Sequence, residues 1–372
     1  MNAESAILSI DIGSTALKAA LLSPLCRVIA YTRIEYGSGR LSDEWILALA
    51  KATKELLSCA KTCGIEAVSI SGNGPTIVSE NGETLMWNEP SPFLESKTTS
   101  LFIPRLIFFK KKYPLAWETS SRIFSCPEYA IFWLTSEAIT ILPESRFQSA
   151  YWTENDLFEN GFSKEDAKKL PPFVRAGSFA GKITAKAAKI TGLLEGTLVF
   201  AAAVDFVSAL VGTGTVFPGT LCDRAGSSEG INLCTKKPFF AKGIRTTPSV
   251  IPGLWNESVL IPESGKLKKE NEDELLFSFA KAIEKLKSEA VKAGEMFPSQ
   301  MSASGGQCAD EKWTQKKAEA AKMTIQIPWT HDAELLGNMI FAHVSLGDYD
   351  DIQEAAAVLC KTDKIFVPQT KR

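Results

Sequence analysis

The sequence has few of the residues that mark metal centres and histidine-based catalytic triads. Only 2 of its 372 residues are histidines, His331 and His343, and both come late in the chain. Its 8 cysteines include no C-x-x-C pair, the close spacing that is typical of zinc sites. We therefore expect neither a zinc site nor a triad, and we interpret the cysteines as small buried residues of a protein in a reducing compartment.

Strong net charge and long apolar runs are also missing. The formal net charge is -2, and a nearly neutral protein has no field that attracts nucleic acid or anionic membranes. No apolar run approaches the roughly 20 residues of a membrane span. The apolar residues near the start include Asp11 and Lys18 and lack the basic leader of a signal peptide. These features predict a cytoplasmic protein without nucleic-acid or membrane partners, and they leave the oligomeric state open, with a homodimer as one option.

A hairpin with a polar tip is predicted near the start of the chain. Apolar residues 7–12 and 19–22 flank Gly13, Ser14 and Thr15, and Asp11 lies near the end of the first strand. A glycine lets backbone N–H groups approach an anion, hydroxyls donate to phosphate oxygens, and a carboxylate can hold Mg²⁺ through water. Because Asp, Gly and Ser also form ordinary turns, this tip alone is compatible with either a phosphate site or a simple turn.

The second half of the chain has a similar hairpin. Its tip is Gly226-Ser227-Ser228, between strands predicted at 220–224 and 231–234. Before it, a fully apolar strand at 197–204 ends at Asp205. A carboxylate at the carboxyl end of a central strand can act as a general base, and it can also N-cap the helix that follows.

Three residue pairs at the ends of predicted strands complete the candidate site. Gly305-Gly306 can let an adenosine approach the backbone, although packing alone also explains a glycine pair. Asn73-Gly74 and Asn88-Glu89 can contact a polyhydroxylated substrate, and turn chemistry explains them nearly as well.

The order of elements predicts an α/β protein whose two halves are duplicates. Each half contains a hairpin followed by further strands and helices. Ser42, followed by Asp43 and Glu44, is predicted to N-cap the first helix. We place the domain boundary near residue 195. Domain 1-195 then carries the substrate side and the first phosphate hairpin, and domain 196-372 carries Asp205, the second hairpin and the adenosine segment.

Taken in order, these pieces resemble the FGGY family of carbohydrate kinases, and xylulokinase-like members in particular. The residues Ile10-Asp11-Ile12-Gly13-Ser14-Thr15 with Lys18 look like the family's first phosphate motif. Its other motifs are matched by Ser71-Gly72-Asn73-Gly74 and Leu85-Met86-Trp87-Asn88 on the substrate side, by the strand ending at Asp205, by Gly226-Ser227-Ser228 at the second phosphate motif, and by Ser304-Gly305-Gly306 with Trp313 and Gln315 at the adenosine motif.

The resemblance implies the fold shared by actin, heat-shock chaperones and sugar kinases, with two actin-like (ribonuclease H-like) domains and a nucleotide cleft between them. It implies transfer of the γ-phosphoryl group of ATP to a hydroxyl of a sugar, ketose or polyol, with Asp205 as the base and Mg²⁺ held by Asp11 through water. The residues implied in nucleotide binding are Asp11, Gly13, Ser14, Thr15, Lys18, Gly226, Ser227, Ser228, Gly305 and Gly306. Those implied in substrate binding are Asn73, Gly74, Asn88 and Glu89.

Two departures from the family pattern support an alternative function. Ala201-Ala202-Ala203-Val204 stands where family members usually carry glycines, and the stretch between Gly230 and Gly305 is short, which predicts a shortened C-terminal domain. The alternative is a degenerate member that binds nucleotide or sugar as a sensor or interaction protein without transferring phosphate.

Overall fold

The structure, a computed structural model, describes residues 4–25, 27–60, 63–90, 100–226 and 228–369. They belong to two units, Met1–Phe206 and Val207–Arg372. The strands of the first unit are β1 (Glu4–Ile12), β2 (Ala16–Leu22), β3 (Val28–Glu35), β4 (Cys63–Gly72), β5 (Ile77–Ser79), β6 (Thr84–Leu85), β7 (Ile123–Phe124), β8 (Thr140–Leu142), β9 (Phe173–Arg175), β10 (Phe179–Lys182) and β11 (Leu198–Val204). Its helices are α1 (Leu41–Cys59), α2 (Ile103–Lys112), α3 (Pro114–Thr119), α4 (Cys126–Thr135), α5 (Glu154–Glu159), α6 (Lys164–Ala167) and α7 (Ala185–Thr191), with a 3-10 helix at Ser145–Ala150.

A six-stranded sheet in the order β10-β11-β4-β1-β2-β3 forms the centre of the first unit. Strand β4 is parallel to both of its neighbours, β1 and β11, whereas β2 and β3 continue the sheet as antiparallel strands. The apolar residues of α1 recur at helical spacing, so that Trp45, Leu49 and Leu56 are buried against the sheet. This packing fixes the three parallel strands, whose ends carry the residues of the candidate site.

The second unit repeats this order with additions: a hairpin is followed by two further strands, two helices and a parallel strand. Helix α8 (Asp205–Gly212) starts at the end of the first unit. The following elements are β12 (Leu221–Ala225), β13 (Glu229–Thr235), β14 (Arg245–Pro248), β15 (Trp255–Ile261), α9 (Ser264–Glu270), α10 (Glu272–Lys292), β16 (Gln300–Ser304), a 3-10 helix at Gly306–Ala309, α11 (Glu311–Ala321), β17 (Thr324–Pro328), α12 (Ala333–Leu346), α13 (Ile352–Leu359) and β18 (Thr362–Phe366). The seven-stranded sheet has the order β14-β15-β13-β12-β16-β17-β18.

The core of this unit lies between the sheet and helices α10 and α11. Leu275 and Phe279 of α10 are fully buried against Ile231 and Leu233 of β13. Strands β12, β16 and β17 are parallel, so the ends of β12 and β16 lie at the same edge of the sheet.

The structure divides the chain later than the sequence analysis did. The predicted second domain starts at residue 196, but β11 pairs with β4 in the first sheet, and Asp205 also belongs to the first unit. A fully apolar strand is buried on both faces whichever sheet it joins, so its sequence does not reveal its partner. The functions predicted from the sequence for domains 1-195 and 196-372 therefore stay a proposal.

Two smaller predictions are wrong. Helix α1 begins at Leu41, with Arg40 at the N-cap position, and the buried Ser42 hydroxyl donates instead to the Gly82 carbonyl at 2.7 Å. Among the described cysteines, Cys59 is exposed, whereas Cys126, Cys222, Cys234 and Cys308 are buried as expected.

Within the described ranges, no helix has both the length and the apolar content needed to cross a membrane.

Candidate active site

The carboxyl ends of three neighbouring parallel strands bring the first group of predicted residues together. Gly72 of β4 is level with Ile12 of β1 and with Val204 of β11. Asp11 therefore lies one residue before this edge, and Asp205 lies one residue beyond it. Since neighbouring strands are about 4.8 Å apart, β1 and β11 are separated by about 10 Å, a distance that suits a small ligand between the two carboxylates.

Asp11 is buried, with only 3 % of its surface exposed. Its Oδ1 accepts a hydrogen bond from the Ser71 hydroxyl of β4 at 2.8 Å, and its strand register places Lys18 of β2 directly opposite. A hydrogen-bond donor and a neighbouring cation both favour the charged carboxylate. The sequence analysis included Asp11 and Lys18 but did not assign Ser71 a role.

The tip of the first hairpin is a tight turn with its carbonyl oxygens occupied. The Gly13 N–H donates to the Ala16 carbonyl at 3.1 Å, and a Cβ on Gly13 would lie 2.9 Å from that same oxygen. The Asn73 side chain donates to the carbonyls of Ile12 (2.9 Å) and Gly13 (3.2 Å), and the Tyr36 hydroxyl donates to Gly13 at 3.1 Å. Burial raises the pKa of the Tyr36 phenol, which keeps it protonated as a donor.

Ser14 of this tip contacts the predicted substrate-side segment. The Trp87 indole N–H donates to the Ser14 hydroxyl at 2.8 Å. A hydroxyl that accepts one bond can still donate its own proton. Thr15, the next residue, is exposed. Ser14 and Thr15 therefore have the chemistry that phosphate binding needs, and Trp87 links them to the strand-end segment that contains Asn88.

Asp205 begins helix α8, and its Oδ1 accepts a hydrogen bond from the Phe206 N–H at 2.6 Å. It is only partly buried. The pKa of the Cys126 thiol is raised chiefly by burial, and also by the charges of Asp11, Glu128 and Asp205. The alanines of β11 are fully buried within the sheet, and Val204 is the residue of this run that lies beside Gly74, 3.5 Å from where a Cβ on that glycine would be.

The remaining substrate-side residues are held by contacts within the protein. Asn73 is only 1 % exposed. Its Oδ1 also accepts a hydrogen bond from the Thr76 hydroxyl. Glu89 forms an ion pair with Lys112, and its carbonyl accepts a bond from Arg105 at 2.8 Å. Asn88 is exposed. The structure thus gives Asn73 a clear role in positioning the hairpin tip, and contact between these residues and a substrate stays a prediction.

The second unit brings its predicted nucleotide segments together at the shared edge of β12 and β16. Gly305 adopts a φ of +95°, and a Cβ there would lie 2.3 Å from the Ala225 carbonyl oxygen. A side chain at position 305 is therefore excluded by both conformation and space. Gly306 faces open space, and the Gly226 N–H donates to the Ser228 carbonyl at 3.1 Å. Ser227, predicted to bind phosphate, lies outside the described residues.

A buried cluster of charges below this second tip was not predicted from the sequence. Lys317 of α11 forms ion pairs with Asp223 of β12 and with Glu229 of β13, the latter at 2.8 Å. All three side chains are at most 3 % exposed. Burial and the neighbouring Glu229 raise the pKa of Asp223 to about 7, and the two carboxylates raise the pKa of Lys317 although burial opposes it. No local sequence pattern signals this cluster, since Lys317 is 94 residues from Asp223 and 88 residues from Glu229.

Several known proteins are similar to this chain in sequence or in fold. No protein-family model matches the chain. The sequence is 24% identical, over 275 residues, to a xylulose kinase of Staphylococcus epidermidis, an alignment that covers 61% of this chain and 53% of that protein. These relatives agree with the resemblance of the sequence to the FGGY carbohydrate kinases. It spans about half the length of the curated relatives that it matches.

Solved structures of carbohydrate kinases share the fold. A glycerol kinase of Plasmodium falciparum with ADP gives a TM-score of 0.79 at 13% identity, covering 98% of this chain and 94% of that one. A ligand-bound xylulose kinase of Lactobacillus acidophilus gives 0.74 at 15% identity, with 98% and 94% covered. The predicted α/β, actin-like fold is thereby confirmed.

Proposed function

We propose that this protein is an ATP-dependent carbohydrate kinase that transfers the γ-phosphoryl group of ATP to a hydroxyl of a sugar, ketose or polyol. The observation that carries the proposal is the placement of Asp11 and Asp205 at one edge of three parallel strands. Ligands of α/β sheets bind at this edge. The kinase names of the sequence relatives support the same chemistry.

Asp205 is the proposed general base. The Asp205 side chain is partly exposed and can therefore reach a ligand. Its backbone is held in place because it is the first residue of helix α8. The carboxylate accepts the proton of the acceptor hydroxyl as that oxygen attacks the γ-phosphorus, and the bond to the bridging oxygen of ADP breaks. Little more is required of the protein than this proton transfer, positioning and stabilisation of charge.

The first hairpin fits a phosphate and Mg²⁺. Its tip has no Cβ at Gly13 and carries two hydroxyls, while its carbonyls at Ile12 and Gly13 are already occupied by donors. Within the part of the chain that the structure describes, no three His, Cys, Asp or Glu side chains gather as a metal site. Mg²⁺ commonly keeps several waters and binds through one or two carboxylates and substrate phosphates. Asp11 would hold the ion through water, and the ion would supply charge neutralisation on the phosphates.

The glycine-rich edge of the second unit fits the rest of a nucleotide. Gly306 faces open space, which leaves room for a flat or bulky group against the backbone. Gly226 and Ser228 offer a second polar tip with phosphate-binding chemistry. The ADP named with the glycerol kinase structure supports nucleotide binding by this fold. We assign nucleotide binding to these residues, and phosphate binding to those of the first hairpin.

A panel assay tests the proposal. Purified protein with Mg²⁺ and ATP is offered ketoses, aldoses and polyols one at a time, and ADP release is measured. Xylulose comes first because the relatives are xylulose kinases. At least one acceptor is expected to stimulate ADP release well above the rate without acceptor. If ATP binds but no acceptor stimulates ADP release, the kinase proposal fails. The alternative of a non-catalytic nucleotide or sugar binder then replaces it.

A further inference from the structure

The residue that follows the glycine pair, Gln307, lies in the 3-10 helix at Gly306–Ala309 and is 9 % exposed. Its Nε2 donates to the Gly226 carbonyl at 3.0 Å and to the Ser264 hydroxyl at 3.1 Å. Its Oε1 accepts a hydrogen bond from the Trp313 indole N–H at 3.1 Å. One buried amide thus connects the second phosphate tip with the starts of two helices, α9 and α11.

The orientation of this amide is fixed by its partners. A carbonyl can only accept a hydrogen bond and an indole N–H can only donate one. Rotating the amide by half a turn would therefore set oxygen against the Gly226 oxygen and NH₂ against the Trp313 N–H. Buried polar groups left without partners are costly, so Gln307 holds the Gly226 carbonyl in one position.

Trp313 is itself rigidly placed. It is 2 % exposed, and its backbone N–H is capped by the Asp310 carboxylate at 3.0 Å. The ammonium group of Lys268 lies 5.1 Å from the centre of its ring and 3.0 Å from Asp310. The Gly226 N–H is bonded to Ser228 as well. Gln307 thus connects Gly226 of the second tip with the rigidly placed Trp313 side chain of α11.

We propose that Gln307 is a positioning residue that holds the second phosphate tip in register with Gly305-Gly306, and that Trp313 reports the occupancy of this tip by the phosphates of a nucleotide. This rests on the proposed nucleotide binding. A phosphate bound by the Ser228 hydroxyl shifts the turn in which the Gly226 N–H is bonded to the Ser228 carbonyl and the Gly226 carbonyl is bonded to Gln307. The Gln307 amide transmits this shift to the Trp313 indole N–H. The fluorescence of the indole ring depends on the hydrogen bond that its N–H makes.

Two variants and one control test this. Gln307→Leu keeps the side-chain size but removes every hydrogen bond of the amide, and Trp313→Phe removes the indole donor while keeping an aromatic ring. Gln300→Leu makes the same exchange as the first at an exposed position of β16. The dissociation constant for Mg-ATP is measured by calorimetry at a temperature where circular dichroism shows each protein folded, and tryptophan emission is followed in the same titration.

Gln307→Leu is expected to weaken Mg-ATP binding about tenfold and Trp313→Phe about threefold, whereas Gln300→Leu should match the wild type. The emission change on adding Mg-ATP should fall by at least half in Trp313→Phe. A role in folding alone would lower the unfolding temperature but leave the affinity of the folded protein unchanged. The inference is overturned if Gln307→Leu binds within twofold of the wild type. If that variant does not fold, unchanged affinity and emission in Trp313→Phe overturn it. Failure of the wild type to bind Mg-ATP would instead remove the proposed function itself.

Discussion

Asp205 is the residue on which the proposed chemistry depends most directly. Replacing it by Asn keeps the size and the hydrogen bond to the Phe206 N–H but removes the acceptor for the substrate proton. A general base commonly contributes about 10²–10⁴-fold to a rate, so we expect Asp205→Asn to lower kcat by that range. The affinity for Mg-ATP, measured without acceptor, should stay within about twofold.

The exposed Asp43 of α1 offers a control with the same chemical change. Asp43→Asn should leave kcat unchanged. Full activity in Asp205→Asn would remove this residue from the role of base, while a loss of ATP affinity equal to the loss of kcat would indicate a binding role in its place.

At the level of single residues, the sequence indicates where polar groups stand relative to the strands better than it indicates which contacts hold them. Asp11, Ser14 and Asp205 lie at or next to recognisable strand ends. Ser71 and Trp87 stand within the motifs quoted for the family, yet their bonds to Asp11 and Ser14 span 60 and 73 residues. The predicted N-cap at Ser42 is wrong for the same reason, because the Ser42 hydroxyl donates to the Gly82 carbonyl, 40 residues away in the chain.

At the level of elements, both predicted hairpins are present, as β1–β2 and β12–β13. Alternation of apolar and polar residues and a glycine-containing tip are local signals. The packing partners of these elements are not local. Gln307 and Gly226 are 81 residues apart, and only the parallel pairing of β12 with β16 brings their segments to the same edge of the sheet.

The crossing of helices α8 and α12 in the second unit permits a sharp test of packing. A Cβ on Gly337 would lie 1.9 Å from the Ser208 carbonyl oxygen, and one on Gly212 would lie 1.9 Å from that of Ala333. Both contacts are with backbone, which cannot rotate away. Overpacking of this kind costs about 1–3 kcal/mol or more. We therefore expect Gly337→Ala to lower the unfolding temperature by about 5 °C in a calorimetric scan.

Gly226→Ala is the matched control, since a Cβ there would make only an ordinary 3.5 Å contact with the Ser228 carbonyl. Its unfolding temperature should stay close to that of the wild type. Equal stability of Gly337→Ala and the wild type would show that the two helices separate at little cost.

At the level of the whole molecule, each unit has its own core, and the chemistry-bearing residues are divided between them. The first unit holds both carboxylates of the candidate site, and the second holds the glycine-rich edge. The resemblance predicted this fold because ordered motifs along a chain restrict topology strongly. The boundary was misplaced because an apolar strand such as β11 does not encode which sheet it joins.

Buried carboxylates make the stability of the second unit dependent on pH. Asp223 is fully buried beside Glu229 and Lys317, where one ammonium group cannot neutralise two carboxylates, and its pKa rises to about 7. Burial also raises the pKa of Glu257 to about 7. Both folded-state pKa values exceed the unfolded ones, so the folded protein binds more protons. The stabilisation is complete below about pH 4 and is lost as the pH rises through about 7.

We expect the stability difference between Asp223→Asn and the wild type to change with pH, because an amide does not ionise. Each proton contributes at most about 1.4 kcal/mol per pH unit, so the variant should gain relative stability between pH 5 and 8. Urea unfolding at several pH values measures this, and Glu257→Gln should show a second, independent gain because Glu257 bonds Thr246 and Phe239 rather than the Lys317 cluster. A difference between Asp223→Asn and the wild type that stays constant from pH 5 to 8 would mean that Asp223 is already ionised at pH 5 and that Lys317 neutralises the cluster more fully than its geometry implies.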